Sequence, residues 1–257
     1  MDLLLNDDER MIADSAREFL DAECPPSLVR AMESDPLGYP KELWAKVAEL
    51  GSQGMCLPEK AGGSNMPLVY LGLVLREVGR AIAPLPLHST AVAALTIARD
   101  GTEGQQDKYL PDVVAGKSIM TWAFTEDDPR LIPEAVKMPA KAQGDDFVLN
   151  GTKLFVDNFP AVDHVLVVAR TKSGSKGAEG LTLFIVDAKS PGISDKGLVT
   201  LAKDRQSEVT FKDVKVPKAN VIGKVDEAWP IVERMLDRGT VLLCAQMVGA
   251  ARKDIEM

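Results

Sequence analysis

The hydrophobic periodicity of this chain changes twice, near residue 118 and again near residue 227. Before the first change and after the second, apolar residues recur at helical spacing, whereas the stretch between them holds short β-prone runs with no intervening helices. Strands that follow one another directly favour an antiparallel sandwich or barrel over a doubly wound sheet. We therefore predict an α+β protein with an N-terminal helical domain (1–118), a middle antiparallel β domain (119–225) and the start of a C-terminal helical bundle (226–257).

Two capping boxes mark helix starts in the first domain. Asn6 with Glu9, and Thr102 with Gln105, each place an N-cap residue three positions before a Glu or Gln. Pro111 is expected to bend or split the helix that begins after Thr102, because proline lacks the N–H that an interior position needs.

One apolar stripe predicts a further helix in the same domain. Arg76 and Glu77 lie on the side opposite the stripe and are expected to face solvent. The stripe consists of Leu68, Leu71, Leu75, Val78 and Ile82.

The strongest local signal in the middle domain is Asn150-Gly151, which separates the strand-like runs 147–149 and 154–156. Asn-Gly between two such runs predicts a hairpin turn. The segment 171–180 is rich in Gly, Ser and Lys and is expected to be a loop. Further strands are expected within 119–125, 165–169, 181–186 and 208–216.

The charge and the cysteine pattern exclude several classes of protein. A net charge of −8 and only 5% aromatic residues argue against a nucleic-acid-binding surface. Cys24, Cys56 and Cys244 form no CxxC pair and are expected to be reduced and mostly buried. The only histidines, His88 and His164, are far apart and are expected to be ordinary surface or strand-edge residues, so no zinc site is expected.

Neither an export signal nor a membrane span is expected. The N-terminus has an acidic start and only three consecutive leucines, and the apolar run 91–98 is far shorter than the roughly 20 residues that cross a bilayer. A cytoplasmic protein is therefore expected. The acidic triplet 126–128 allows a metal-site interpretation, but a solvated loop is favoured.

Four stretches carry a resemblance to a known family. Residues 57–63 include Pro-Glu and Gly-Gly, 122–126 read Trp-Ala-Phe-Thr-Glu, and 149–158 read Leu-Asn-Gly-Thr-Lys-Leu-Phe-Val-Asp-Asn. Residues 211–223 read Phe-Lys-Asp-Val-Lys-Val-Pro, followed by Asn-Val-Ile-Gly after two residues. In order and spacing these stretches resemble the acyl-CoA dehydrogenase family, whose members oxidise acyl-CoA thioesters in fatty acid β-oxidation.

The resemblance implies an FAD site. In such enzymes a glutamate removes the α-proton of the thioester while a hydride leaves the β-carbon for the flavin. Carried over by position, Trp122, Phe124 and Thr125 are expected to contact the flavin and its polar edge. Phe155 stands where the family has a tryptophan against the ring, and Asp157 stands where it has a threonine that donates to the flavin.

The resemblance also implies a substrate site on the C-terminal helix. Asp237 matches a residue expected to touch the CoA moiety, and Arg238 lies two positions before Thr240, which replaces the family's arginine. Some relatives carry the catalytic glutamate at the position of Gly239, and in the others it lies in the rest of the bundle, so no catalytic base is identifiable in this chain. The rest of the bundle is expected to be lost or supplied by another polypeptide. Implied partners are an acyl-CoA substrate, electron-transfer flavoprotein or a similar acceptor, and further subunits of a homo- or hetero-oligomer.

Two interpretations of the whole assembly follow, and a third stays open. The first is an FAD-dependent acyl-CoA dehydrogenase that is inactive as this chain alone. The second is a non-catalytic partner subunit of a heteromeric enzyme acting on a bulky CoA ester, such as a steroid side chain. Asp157, Gly239 and the absence of Gly-Ser-Asp after Glu126 favour the second. The third is a flavin oxidase or monooxygenase on the same fold.

Overall fold

A computed structural model describes residues 4–257 of the chain. Residues 1–3, which begin both the predicted helical domain and the acidic N-terminal stretch, lie outside this range. The helices are α1 (Asp7–Glu23), α2 (Pro26–Met32), α3 (Lys41–Glu49), α4 (Leu68–Arg80), α5 (Leu87–Asp100), α6 (Glu103–Val114) and α7 (Trp229–Glu256). The strands are β1 (Met120–Ala123), β2 (Ala140–Gln143), β3 (Asp146–Asp157), β4 (His164–Arg170), β5 (Leu181–Asp187), β6 (Ile193–Leu198), β7 (Gln206–Pro217) and β8 (Val221–Ile222).

The predicted α+β architecture is confirmed: within residues 4–257, six α-helices precede the strands and one long α-helix follows them. The strands form two four-stranded sheets, ordered β1-β4-β5-β8 and β2-β3-β7-β6. One pair departs from the antiparallel expectation, because β1 runs parallel to β4. The chain crosses to the second sheet between these two strands, so no hairpin joins them, and only a hairpin would require them to be antiparallel.

Both predicted capping boxes are present. The Asn6 side chain accepts from the Glu9 N–H at 2.8 Å, and the same reciprocal pattern joins Thr102 to Gln105. The helix is not split at Pro111, since α6 continues through it. Its neighbours Leu110 and Val113 are fully buried, and their packing outweighs the one hydrogen bond that proline removes.

The stripe on α4 is confirmed in part. Ile82 lies beyond the helix, in a left-handed conformation (φ 49°), with 67% of its surface exposed. The solvent-facing prediction is wrong for Glu77, which is buried and paired with Arg80 at 2.7 Å. The cause is that α4 has helices on two sides: Asp21 of α1 also pairs with Arg80, at 2.6 Å, and α7 packs against another face.

The predicted hairpin at Asn150-Gly151 is wrong, because β3 runs straight through both residues. The register with β7 shifts there, and the Asn150 amide both donates to Asp213 and accepts its N–H. The spacing of the paired residues places the extra residue of this bulge in β7, at the left-handed Asp213 (φ 53°), and Asn150 lies opposite it. The tight turn lies earlier, at Gly144 (φ 62°), between β2 and β3.

Two glycines allow α7 to pack closely on α4. A Cβ added at Gly79 would lie 1.9 Å from the Gln246 carbonyl oxygen, and one at Gly249 would lie 1.7 Å from that of Arg76. Backbone thus meets backbone at this crossing, which fixes where α7 passes the β1 strand. The face of α7 away from α4 leaves large apolar side chains exposed, namely Val241, Leu243, Met247, Val248 and Ile255.

Candidate functional site

Two consecutive residues of β3 donate hydrogen bonds to the segment that follows β1. The Lys153 ammonium group donates to the Phe124 carbonyl at 3.0 Å, and the Leu154 N–H donates to the Thr125 carbonyl at 2.9 Å. The second and third family-like stretches of the sequence are therefore in direct contact. This contact places Phe155, the next residue of β3, beside the 122–126 segment.

Phe155 presents an aromatic ring to the outside of the molecule. Its backbone is left-handed (φ 55°), and the β3–β7 register shifts between Lys153 and Val156. More than half of its surface, 54%, is exposed. A left-handed backbone at a large aromatic residue costs about 1–2 kcal/mol. Because the exposed ring gains little from burial, another interaction must compensate for this cost.

Trp122 lies where β1, α5 and α7 meet. Its ring centroid is 5.6 Å from that of His88, in an edge-on arrangement. A Cβ at Gly239 would be 3.6 Å from the Trp122 ring. The Trp122 side chain is only partly buried, which leaves part of its ring available to a ligand.

His88 is not the surface residue that we expected. Its Nε2 lies 2.9 Å from the carbonyl oxygen of Gly239. Burial lowers the pKa of His88, and the bond to that carbonyl partly opposes the effect. A neutral ring whose Nε2–H donates to Gly239 fits this environment, so His88 fastens α7 to α5. His164 does begin a strand, with its ring edge-on to Tyr109.

Phe124 lies deeper than the other candidates. Its side chain is 3% exposed and its ring lies 6.3 Å from that of Trp229. The ring belongs to the core, so what Phe124 offers to a ligand is the backbone of its segment.

Asp157 ends β3, opposite Gln206 of β7. Burial and, to a lesser extent, the nearby Asp204 carboxylate together raise the pKa of its carboxyl group to about 7, although a hydrogen bond from Gln206 partly opposes them. The neighbouring cation does not neutralise it, because the Arg205 guanidinium donates instead to the backbone carbonyls of Met32, Glu33 and Asp35. At neutral pH Asp157 is therefore divided between its protonated and ionised forms.

Asp237 and Arg238 follow one another on α7 and face different surroundings. Asp237 is exposed. Arg238 is partly buried, with one guanidinium nitrogen 3.5 Å from the hydroxyl of Thr96, and burial together with the nearby Arg99 lowers its pKa. The two side chains do not form a joint site within the described residues.

The solvated-loop interpretation of 126–128 is wrong for Glu126. Its carboxylate accepts from the Lys153 ammonium group at 2.8 Å and from the backbone N–H groups of Lys137 and Met138 at 2.9 and 3.0 Å. Sequence reasoning assigned no role to Lys153, which is fully buried. The sequence feature that could have identified Lys153 is the presence of a lysine within an otherwise apolar strand pattern.

Residues 4–257 contain no cluster of three or more His, Cys, Asp or Glu side chains arranged to hold a metal ion. No helix in this range is long and apolar enough to cross a bilayer. The cysteines are free thiols, but only Cys24 is buried, while Cys56 is partly exposed and Cys244 exposed.

Comparisons with known proteins agree with this architecture. Residues 6–117 match the acyl-CoA dehydrogenase N-terminal domain, and residues 121–214 match the middle domain. Caffeyl-CoA reductase-Etf complex subunit CarC of Acetobacterium woodii is 30% identical, across 97% of this chain and 67% of its own length.

Two solved structures are similar over nearly the whole chain. A glutaryl-CoA dehydrogenase of Mycobacterium smegmatis in complex with FADH2 has a TM-score of 0.86 and 27% identity, covering 98% of this chain and 64% of its own. A Tcur3481-Tcur3483 steroid ACAD variant has a TM-score of 0.83 and 31% identity, covering 96% and 64%. This chain thus spans about two thirds of the length of these relatives. It belongs to the acyl-CoA dehydrogenase family.

Proposed function

We propose that this chain supplies the helical and β parts of an FAD-dependent acyl-CoA dehydrogenase and forms one wall of its flavin site. The observation that carries the proposal is the exposed Phe155 ring, held in a left-handed backbone conformation beside the Thr125 segment. An apolar ring kept at the surface at a conformational cost favours a ligand that covers it. An isoalloxazine ring is flat and aromatic, and the family includes a structure with FADH2.

The residues present fit a flavin at three positions. Phe155 and the partly exposed Trp122 offer flat apolar surface, and Thr125 offers a hydroxyl group and a backbone amide. Asp157 fits only when protonated, because an ionised carboxylate donates no hydrogen bond and repels the negative charge of a reduced flavin. Its raised pKa keeps the protonated form accessible near neutral pH.

Each residue then has a limited task. FAD, when bound, accepts the hydride that leaves the β-carbon of an acyl-CoA thioester. Phe155 and Trp122 exclude water from the ring, and Asp157 holds a proton at its carboxyl oxygen. Asp237 and Arg238 are proposed to contact the CoA moiety. No catalytic base is assigned to this chain.

The first experiment measures the visible absorption spectrum of the purified chain after FAD is added and unbound cofactor is removed. It is run with the chain alone and with any subunit that copurifies. Retained flavin that falls at least tenfold in the Phe155→Ala variant supports the proposal. Met11→Ala is the matched control, since Met11 is similarly exposed (59%) but lies on α1. Flavin retention that both variants leave unchanged, or its absence under every condition, contradicts the proposal.

Several finer features belong to the same proposal. The partners are an acyl-CoA substrate, electron-transfer flavoprotein or a similar acceptor, and further subunits of a homo- or hetero-oligomer; the relative named after an Etf complex supports the acceptor. We also propose a cytoplasmic location. The proposed domain boundaries are 1–118, 119–225 and 226–257, and the bounds of the helices and strands support them.

A second candidate function is a non-catalytic partner subunit in a heteromeric acyl-CoA dehydrogenase acting on a bulky CoA ester. Two observations favour it: Asp157 is acidic where a donor is needed, and Gly239 lies against Trp122 where some relatives carry the base. The similarity to a steroid ACAD supports the same candidate. Asp157→Thr separates the two functions in the assembled protein. Improved flavin retention means that this half-site is used, and unchanged retention favours the non-catalytic role.

A further inference from the structure

We infer that Lys153 is a positioning residue for the backbone of residues 124–126, the flavin-facing segment. Its ammonium group holds the 124–126 backbone so that the N–H groups of Thr125 and Glu126 point away from β3 as a pair of donors. What those donors bind rests on the proposed function. The positioning itself rests on the geometry of this chain.

Lys153 is held by a closed set of contacts. Its side chain is completely buried and donates to the Phe124 carbonyl at 3.0 Å and to the Glu126 carboxylate at 2.8 Å. Glu126 in turn accepts the backbone N–H groups of Lys137 and Met138. A buried ammonium group is costly unless it is paired and hydrogen-bonded, so these partners fix its place.

Peptide geometry sets the direction of the two N–H groups. The carbonyls of Phe124 and Thr125 both point at β3, toward Lys153 and the N–H of Leu154. Both peptides are trans, so each N–H points opposite to the carbonyl in its plane. The N–H groups of Thr125 and Glu126 therefore point away from β3, and neither meets an acceptor among the described residues.

Such a donor pair is useful only if it is rigid. Preorganised backbone N–H groups stabilise charge at a ligand because they need not reorient when it binds or reacts. Without the ammonium group the Phe124 carbonyl loses its partner, and the peptide that carries the Thr125 N–H becomes free to rotate. The flavin-facing segment then keeps its sequence but loses its orientation.

The test uses three variants of the full chain, together with any subunit that wild type needs to hold FAD. Lys153→Met removes the ammonium group. The double variant Lys153→Met/Glu126→Gln also removes the carboxylate charge that the first change leaves unpaired. Lys172→Met is the matched control, because Lys172 makes an exposed ion pair with Glu179 in the β4–β5 loop. The readouts are the Kd for FAD, the midpoint of thermal unfolding, and hydrogen exchange at the Leu154 amide, which needs no flavin.

A positioning role predicts a split between stability and binding. Lys153→Met weakens FAD binding at least tenfold and speeds Leu154 exchange at least tenfold, while Lys172→Met changes neither. In the double variant the thermal midpoint recovers toward wild type, because no unpaired charge is left buried. The Kd and the exchange rate do not recover, because the Phe124 carbonyl is still unheld.

Other outcomes overturn the inference. A Lys153→Met variant with wild-type Leu154 exchange and wild-type affinity for FAD contradicts it. A double variant in which affinity and exchange recover together with stability also contradicts it, because the unpaired Glu126 charge then accounts for all the effects of Lys153→Met. If Lys153→Met does not fold, the double variant carries the test. If wild type holds no FAD under any condition but Leu154 exchange depends on Lys153, the positioning stands and the proposed flavin function fails.

Discussion

Replacing Asp157 by asparagine is expected to stabilise the protein at pH 8 and to leave its stability unchanged near pH 4. Burial and the Asp204 carboxylate raise the pKa of the Asp157 carboxyl group in the folded chain to about 7, from an ordinary value of 3.8. Asparagine has nearly the same shape and stays neutral, so it mimics the protonated form at every pH.

The pKa difference gives the magnitude. One pKa unit corresponds to about 1.4 kcal/mol, so a rise from 3.8 to about 7 costs the ionised form up to about 4 kcal/mol. Part of the side chain still meets solvent, so we expect about 2 kcal/mol. Between pH 4 and pH 7 the folded chain holds a proton that the unfolded chain has lost. The contribution of Asp157 to stability is therefore highest below pH 4, falls as the pH rises to 7, and is constant above.

Urea unfolding of wild type and Asp157→Asn at pH 4.5, 6, 7 and 8 checks this directly. The difference in unfolding free energy between the two proteins should grow with pH and level off above pH 7. Asp145→Asn, an exposed position in the turn before β3, is the control and should show no such growth. A pH-independent difference, or a loss of stability at pH 8, would refute the reasoning.

Three further predictions concern packing, backbone strain and capping. Gly79→Ala should lower the unfolding free energy by about 1–3 kcal/mol in urea titrations, because its Cβ meets the Gln246 carbonyl, whereas Gly72→Ala on the same helix has room and should not. At position 155, variants of Phe155 to glycine and alanine should differ by about 1 kcal/mol in favour of glycine, and the reverse order would mean that the left-handed backbone is not strained. Thr102→Ala should lower the thermal midpoint by removing about 1 kcal/mol of capping energy, and an unchanged midpoint would contradict that value.

The helices were predictable because their signals are local. The capping box of Thr102 depends on residues three positions apart, and the chain meets that condition before it packs. Strand β6 (Ile193–Leu198) was missed because most of its residues are exposed and show no alternation. It exists because it pairs along β7, and a pairing partner in another part of the chain leaves no local pattern.

The same limit explains the errors at Asn150 and Glu126. Asn-Gly suits a hairpin turn, but the pairing of β3 with β7 keeps both residues inside a strand, opposite a bulge in β7. Glu126 occurs in an acidic triplet that looks solvated, yet Lys153 reaches it from 27 positions away. The sequence identified both stretches that form the candidate site, but the ion pair that joins them depends on tertiary structure.

The conformations at the end of β3 distinguish function from stability. Phe155 and Asn158 are both left-handed, a conformation that is common for asparagine and strained for phenylalanine. A segment shaped by stability alone favours glycine at position 155, or an apolar ring that is buried. Here the ring is exposed, and beside it a fully buried lysine holds the backbone that would meet the same ligand. Two separate costs, the backbone strain at Phe155 and the buried charge of Lys153, thus occur two residues apart on β3, as expected where a bound ligand compensates for both.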